Sequence, residues 1–133
     1  MTATWHADLV RGSDAVDLAV PADPAYVAVV RSATAGLAAR LALSVDEIED
    51  LRIAVDEACS LLLAGRAHEC ETLRTSFSLG DGLLDVVITG PAPVLPTESS
   101  FAWSVLRALV NSVETGTGAA GNWIRLTHLG GRR

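Results

Sequence analysis

Between Ser44 and Gly65 the chain spells out an amphipathic helix with both ends marked. Ser44 and Glu47 stand at capping-box spacing, where each side chain satisfies a backbone N–H of the other. Ile48, Leu51, Val55, Ala58, Cys59 and Leu62 recur at helical period and make one apolar face running to about Ala64. Gly65 supplies the stop. The following segment changes period. Leu73, Thr75, Phe77 and Leu79 alternate with Arg74, Ser76 and Ser78. A Gly80-Asp81-Gly82 turn leads into a second strand, Leu83 to Thr89, which is a hairpin signal. One helix stripe next to one hairpin face is the beginning of a layered α/β domain.

The flanking segments extend the same pattern. Residues 1–14 read as a flexible lead-in. Val16, Leu18 and Val20 alternate with Asp17 in a half-buried strand that Pro21 ends. Asp23 followed by Pro24 is a helix start, and Tyr26, Val30, Ala33, Leu37 and Leu41 form its apolar stripe. Three prolines make Gly90 to Pro96 an extended loop. Ser99 or Ser100 can cap a third helix, with core positions Ala102, Val105, Leu106, Leu109 and Val113. Residues 116–121 read as a flexible turn, Asn122 to His128 as a closing strand and 129–133 as a tail. The expected order is β-α-α-β-β-α-β within a single domain, residues 15–128. It is a two-layer α/β sandwich, with a mostly antiparallel sheet of four strands or slightly more covered on one face by three helices.

Composition narrows the function. The chain has 133 residues and a formal charge of −6, and all of its basic residues other than histidine are arginine. Without lysine there is no Schiff-base chemistry and no Walker-type phosphate lysine. A net acidic domain is a poor direct nucleic-acid binder and suits a partner with basic patches. No apolar run approaches the ~18 residues of a membrane helix, and the start lacks the regions of a signal peptide, so a cytoplasmic protein is expected. Cys59 and Cys70 form neither a metal pattern nor a disulfide framework. Cys59 reads as a small core residue and Cys70 as exposed at a strand start. His6, His68 and His128 are scattered, so no metal site is expected.

The segment Asp46 to Leu63 carries more. Its Leu51, Arg52, Ala54, Val55, Asp56, Glu57 and Ala58 resemble the N-box helix of the RsbW/SpoIIAB anti-sigma factors of the GHKL ATPase superfamily. The family pattern there is Leu-Arg/Lys-x-Ala-Val-Asp/Ser-Glu-Ala. Arg31 stands at the separation from Glu57 that the family uses. Ser100 to Val110 resembles the last helix of the actinobacterial UsfX branch. The resemblance spans about residues 15–128 and implies a Bergerat (GHKL-like) fold.

In that family a helical glutamate activates the attacking hydroxyl, and an asparagine four residues later holds Mg²⁺ on the same helix face. An Asp-x-Gly-x-Gly turn binds adenine, and a second glycine-rich lid wraps the phosphates. Here Glu57 is present. Leu61 stands at the asparagine position and cannot ligate a hard cation. Thr89-Gly90-Pro91-Ala92-Pro93 lacks the aspartate and the second glycine, and Pro96 to Phe101 contains no glycine.

The resemblance therefore implies an anti-sigma factor with degenerate ATP boxes. It would be a homodimer that sequesters an alternative sigma factor and releases it to a STAS-domain anti-anti-sigma partner. No cofactor is expected, with ATP and Mg²⁺ the only candidates. The implied partner-binding residues are Arg31, Asp46, Glu47 and Trp103. Trp103 lies off the stripe of the third helix and reads as exposed, while Phe101 reads equally as core or anchor. Glu57 is either a retained general base or a solvated or arginine-paired carboxylate, and Arg31 either a partner contact or half of an internal salt bridge. The alternative is a divergent serine/threonine kinase that phosphorylates the anti-anti-sigma factor through Glu57. A regulatory module for some other protein and a Cys59-based redox switch are the remaining readings.

Overall fold

The computed structural model describes residues 14–65 and 70–130. The expectations for the lead-in with His6, for His68 and for the end of the tail concern residues outside that range.

Five antiparallel strands form one sheet in the order β1-β2-β3-β5-β4. They are β1 (Asp14–Pro21), β2 (Thr72–Gly80), β3 (Leu83–Gly90), β4 (Ser112–Gly118) and β5 (Gly121–Leu129). Three helices, α1 (Val27–Ala38), α2 (Val45–Leu62) and α3 (Phe101–Leu109), pack on one face. The core lies between the layers. Leu73, Phe77, Leu84, Val86, Ile88, Ile124 and Leu126 project from the sheet and meet Val30, Leu51, Val55, Cys59, Leu62 and Leu106 from the helices. The opposite sheet face carries Ser78, Asp85, Val87, Arg125 and Thr127, as the strand registers require.

α2 forms as its sequence dictates. Glu47 N–H donates to Ser44 Oγ at 3.1 Å, and Ser44 N–H donates to Glu47 Oε2 at 3.0 Å. Leu51, Ala54, Val55, Ala58, Cys59 and Leu62 are its buried face. Gly65 has φ +107°, a left-handed conformation suited to glycine. The first helix is more broken than its stripe suggests. Asp23 caps a 3₁₀ turn, Pro24–Tyr26, by accepting from Ala25 N–H. The α-helix begins only at Val27, so Val27 takes the core position and Tyr26 is exposed. In β1 only Val20 is buried. Val16 is exposed because this edge strand runs out from under the helix layer.

The largest departure follows α3. Val113 was expected in a helix and residues 116–121 in a turn, yet Ser112–Gly118 is a strand. The helix stops at Leu109, and Val110 is already extended. Asn111 N–H then donates to Thr127 C=O, and its side-chain oxygen accepts from Leu129 N–H. These two bonds lay the chain beside β5. Val113, Thr115 and Thr117 alternate along β4 as β-branched strand residues do. Gly116 passes beneath the Trp123 ring, where a Cβ would collide with the indole.

The buried stripe of α3 is Trp103, Leu106 and then Val110, one residue out of phase with the expected one. Trp103 is only 6% exposed and Phe101 is 84% exposed. The expectation of an exposed Trp103 anchor is thereby corrected, because the indole fills the core and Phe101 faces solvent.

Candidate functional site

The family-like residues line the seam between α1 and α2. Arg31 faces the middle of α2, and its Nε lies 3.5 Å from Asp56 Oδ1. The resemblance relates Arg31 to Glu57, whereas the structure pairs it with the preceding residue. Glu57 is half-buried and makes no hydrogen bond or ion pair among the described residues. About two turns earlier, Glu49 is held by Arg52 at 2.8 Å. Asp46 is exposed in the first turn, where its charge suits the helix N-terminus.

Glu47, another of the implied partner residues, faces the fold more than solvent. Its side chain is turned inward and only 14% exposed. One oxygen closes the capping box and the other lies 3.0 Å from Nε2 of the fully buried His128. Its chemistry is therefore internal, tying the start of α2 to β5.

Beneath the Arg31–Asp56 pair sits Cys59. Burial, with the Asp56 carboxylate adding to it and the Arg31 guanidinium partly offsetting it, pushes the thiol up to about 12. The nucleophilic thiolate is thus absent at neutral pH. Cys70 is exposed. One equivalent of thiol is expected to react with a disulfide reagent in the folded protein and two after denaturation. Native reactivity that survives Cys70→Ser would contradict this.

The positions that hold nucleotide in the family are apolar here. Leu61 packs against the core cluster. Taking Gly90 as the first glycine of the adenine turn puts Ile88 at the aspartate and Ala92 at the second glycine. Ile88 is fully buried and Ala92 is 3% exposed. Ala92 N–H donates to Leu62 C=O at 2.9 Å, and Asn122 Nδ2 donates to Ala92 C=O at 2.8 Å. A Cβ on Gly90 would lie 2.9 Å from Leu62 O, so the loop after β3 is pressed onto the end of α2. Before α3 the hydroxyl of Ser100 caps Trp103 N–H and donates to Thr97 C=O.

Another cluster, invisible in the spacing, sits on the helix-free sheet face. Asp85 is 1% exposed, and its Oδ1 accepts from Arg125 Nε at 2.8 Å and Thr127 Oγ1 at 2.7 Å. Arg125 also reaches Glu114 at 3.0 Å. Among the described residues no group of three His, Cys, Asp or Glu side chains is placed to hold a metal ion. No helix there is long and apolar enough to cross a membrane.

Comparison with known proteins bears on the family and the fold. Residues 20–128 match the model of the histidine kinase-like ATPase domain. The chain is 48% identical over 78 residues to the serine-protein kinase RsbW of Bacillus subtilis strain 168, covering 57% of this chain and 49% of that protein. It is 35% identical over 80 residues to the RsbW of Halalkalibacterium halodurans, covering 60% and 49%. The chain thus spans about half the length of the curated relatives it matches. The solved structure of the RsbU and RsbW domains of Rv1364c from Mycobacterium tuberculosis superposes with a TM-score of 0.72 at 17% identity, over 90% of this chain and 33% of that one. That likeness bears on the fold, which is the same α/β sandwich. The chain belongs to the histidine kinase-like ATPase domain family, and its likeness within that family is to RsbW.

Proposed function

We propose that this protein is an anti-sigma factor that sequesters an alternative sigma factor in the cytoplasm by protein–protein contact. A STAS-domain anti-anti-sigma partner competes for an overlapping surface and releases it. The observation that carries the reading is the α1–α2 seam. There Arg31 of α1 faces the RsbW-like motif of α2, with Asp46 exposed in the first turn of that helix. The excess of acid over base suits a basic, DNA-binding partner. The outward positions Ala28, Val29, Ser32 and Gly36 of α1 carry no charge, which supports pairing of two copies in this region.

We propose further that the ATP site is degenerate. Leu61, Ile88 and Ala92 offer neither a cation ligand nor an adenine acceptor at the positions that need them, and Ala92 N–H is already used by Leu62. Glu57 is then a solvated carboxylate rather than a base. A second reading, a divergent serine/threonine kinase acting on the anti-anti-sigma factor, is favoured by the names of the relatives and by Glu57 lacking an internal partner.

Calorimetry with ATP and Mg²⁺ separates the two. No heat and no shift in thermal midpoint at millimolar ATP is the expected result. Micromolar binding, about −8 kcal/mol, with phosphoryl transfer to a STAS partner that Glu57→Gln abolishes, would establish the kinase. Co-purification of the tagged chain is expected to recover a sigma factor. Enrichment of other proteins without one would overturn the anti-sigma reading.

A further inference from the structure

The helix-free face of the sheet is closed to water along its middle. Ser78 of β2 is 2% exposed, and Asp85 and Val87 of β3 are 1% and 8% exposed. In the same rows of the sheet, Ala15 and Asp17 at the β1 edge are exposed, as are Ser112 and Glu114 at the β4 edge. All three helices pack on the opposite face. A bare antiparallel face is solvated, and a short side chain such as Ser78 would stand open on it. The Arg125 guanidinium shades only part of this patch. It is bonded to Asp85 of β3 and Glu114 of β4, which holds it away from β2. Ser78 lies two strands from β5, about 10 Å.

The chain before β1 is placed to supply the cover. Residues 1–13 run into Asp14, which pairs with Leu79 next to Ser78. At ~3.3 Å per residue, about five residues reach from β1 across β2 and β3 to β5. Gly12, just before the strand, permits the reversal that such a path needs. Trp5, Leu9 and Val10 bring apolar surface. On the sheet they would meet Val87 and the half-buried Leu83, Trp123 and Leu129, which point to the same side. The other stretches outside the described residues do not fit. Residues 66–69 are tied at both ends between α2 and β2, and residues 131–133 carry no apolar side chain.

We infer that residues 1–13 fold back over the helix-free face of their own chain, with Trp5, Leu9 and Val10 seated on Val87, Trp123 and the Leu83–Leu129 pair. This strap keeps water from Asp85 and withholds the face from partners. The helix layer is left as the broad surface open to them. The segment is then docked, unlike the flexible lead-in expected from its sequence. The inference is independent of the anti-sigma reading.

Two measurements on the full chain test it. The first places a nitroxide on Ala7→Cys in a Cys70→Ser background. Cys59 does not compete for the label, because it is buried and its thiol is pushed up to about 12. The amide signals of Val87, Arg125 and Thr127 are expected to lose most of their intensity, while Val29 and Ser32 on the outside of α1 keep theirs. The loss should persist when the labelled protein is diluted into excess unlabelled chain, since segment and face belong to one molecule. The second measurement carries no label. Leu9→Ser combined with Val10→Ser should shift the amides of Ser78, Val87 and Thr127, leave those of Val29 and Ser32 in place and keep the protein folded.

A sheet face that neither loses intensity nor shifts would overturn the inference. A loss that vanishes on dilution would assign the cover to a second copy and would overturn it as well.

Discussion

Arg125→Met is expected to lower the stability of this domain by about 3–5 kcal/mol, the cost of breaking a buried ion pair from one side. The size follows from what stays behind. Asp85 is 1% exposed at the centre of the sheet, and its Oδ2 is buried without a hydrogen bond. Its charge is compensated through Oδ1 by Arg125 and Thr127. Removing the guanidinium strands the carboxylate on a face with no other described cation bonded to it. Adding Asp85→Asn to Arg125→Met is expected to recover part of the loss, since the stranded charge is then gone. Urea unfolding of the two variants measures both. A loss under about 1 kcal/mol for Arg125→Met, the range of an exposed pair, would show that water reaches Asp85 and that the pair is incidental.

Glu47→Ala is the second large effect, about 2–4 kcal/mol. It removes the reciprocal half of the capping box and also leaves His128 without its partner inside the core. Ser44→Ala isolates the cap and should cost about 1 kcal/mol. Glu47→Gln keeps a polar group for both Ser44 N–H and His128, and should cost less than Glu47→Ala. The midpoint of thermal unfolding is expected to fall by roughly 10 °C for Glu47→Ala in a domain of this size. Equal shifts for Glu47→Ala and Ser44→Ala would show that the contact with His128 contributes nothing.

The parts that were legible in the sequence are those with local physics. Ser44, Glu47 and Gly65 bracket α2 because capping and left-handed glycine act within a few residues. The β2–β3 hairpin was legible because its turn and its alternation are contiguous. The phase of α3 was not. A helix of nine residues offers too few repeats to choose between stripes one residue apart, and only the core decides that Trp103 goes in and Phe101 out. β4 was hidden behind its glycines, although the alternation of Val113, Thr115 and Thr117 carried the signal. The Glu47–His128 and Asp85–Arg125 contacts join residues 81 and 40 apart, which no spacing rule relates. At the candidate site the motif identified the helix and the family. Which carboxylate meets Arg31 depends on how α1 and α2 cross, and that is a tertiary fact.

The strand order also sets a timetable. β2–β3 and β4–β5 are local hairpins, whereas β1 must wait for β2 across both intervening helices, and β3 must wait for β5 across α3. Such distant pairings cost loop-closure entropy before they return any contact, and they slow folding towards the millisecond-to-second range. On the ribosome the first hairpin emerges with the side of β3 that later pairs β5 still open. That open strand is a template for aggregation until residues 121–129 arrive. Slow translation between α3 and β5 should therefore reduce the yield of soluble protein more than the same delay placed after β5.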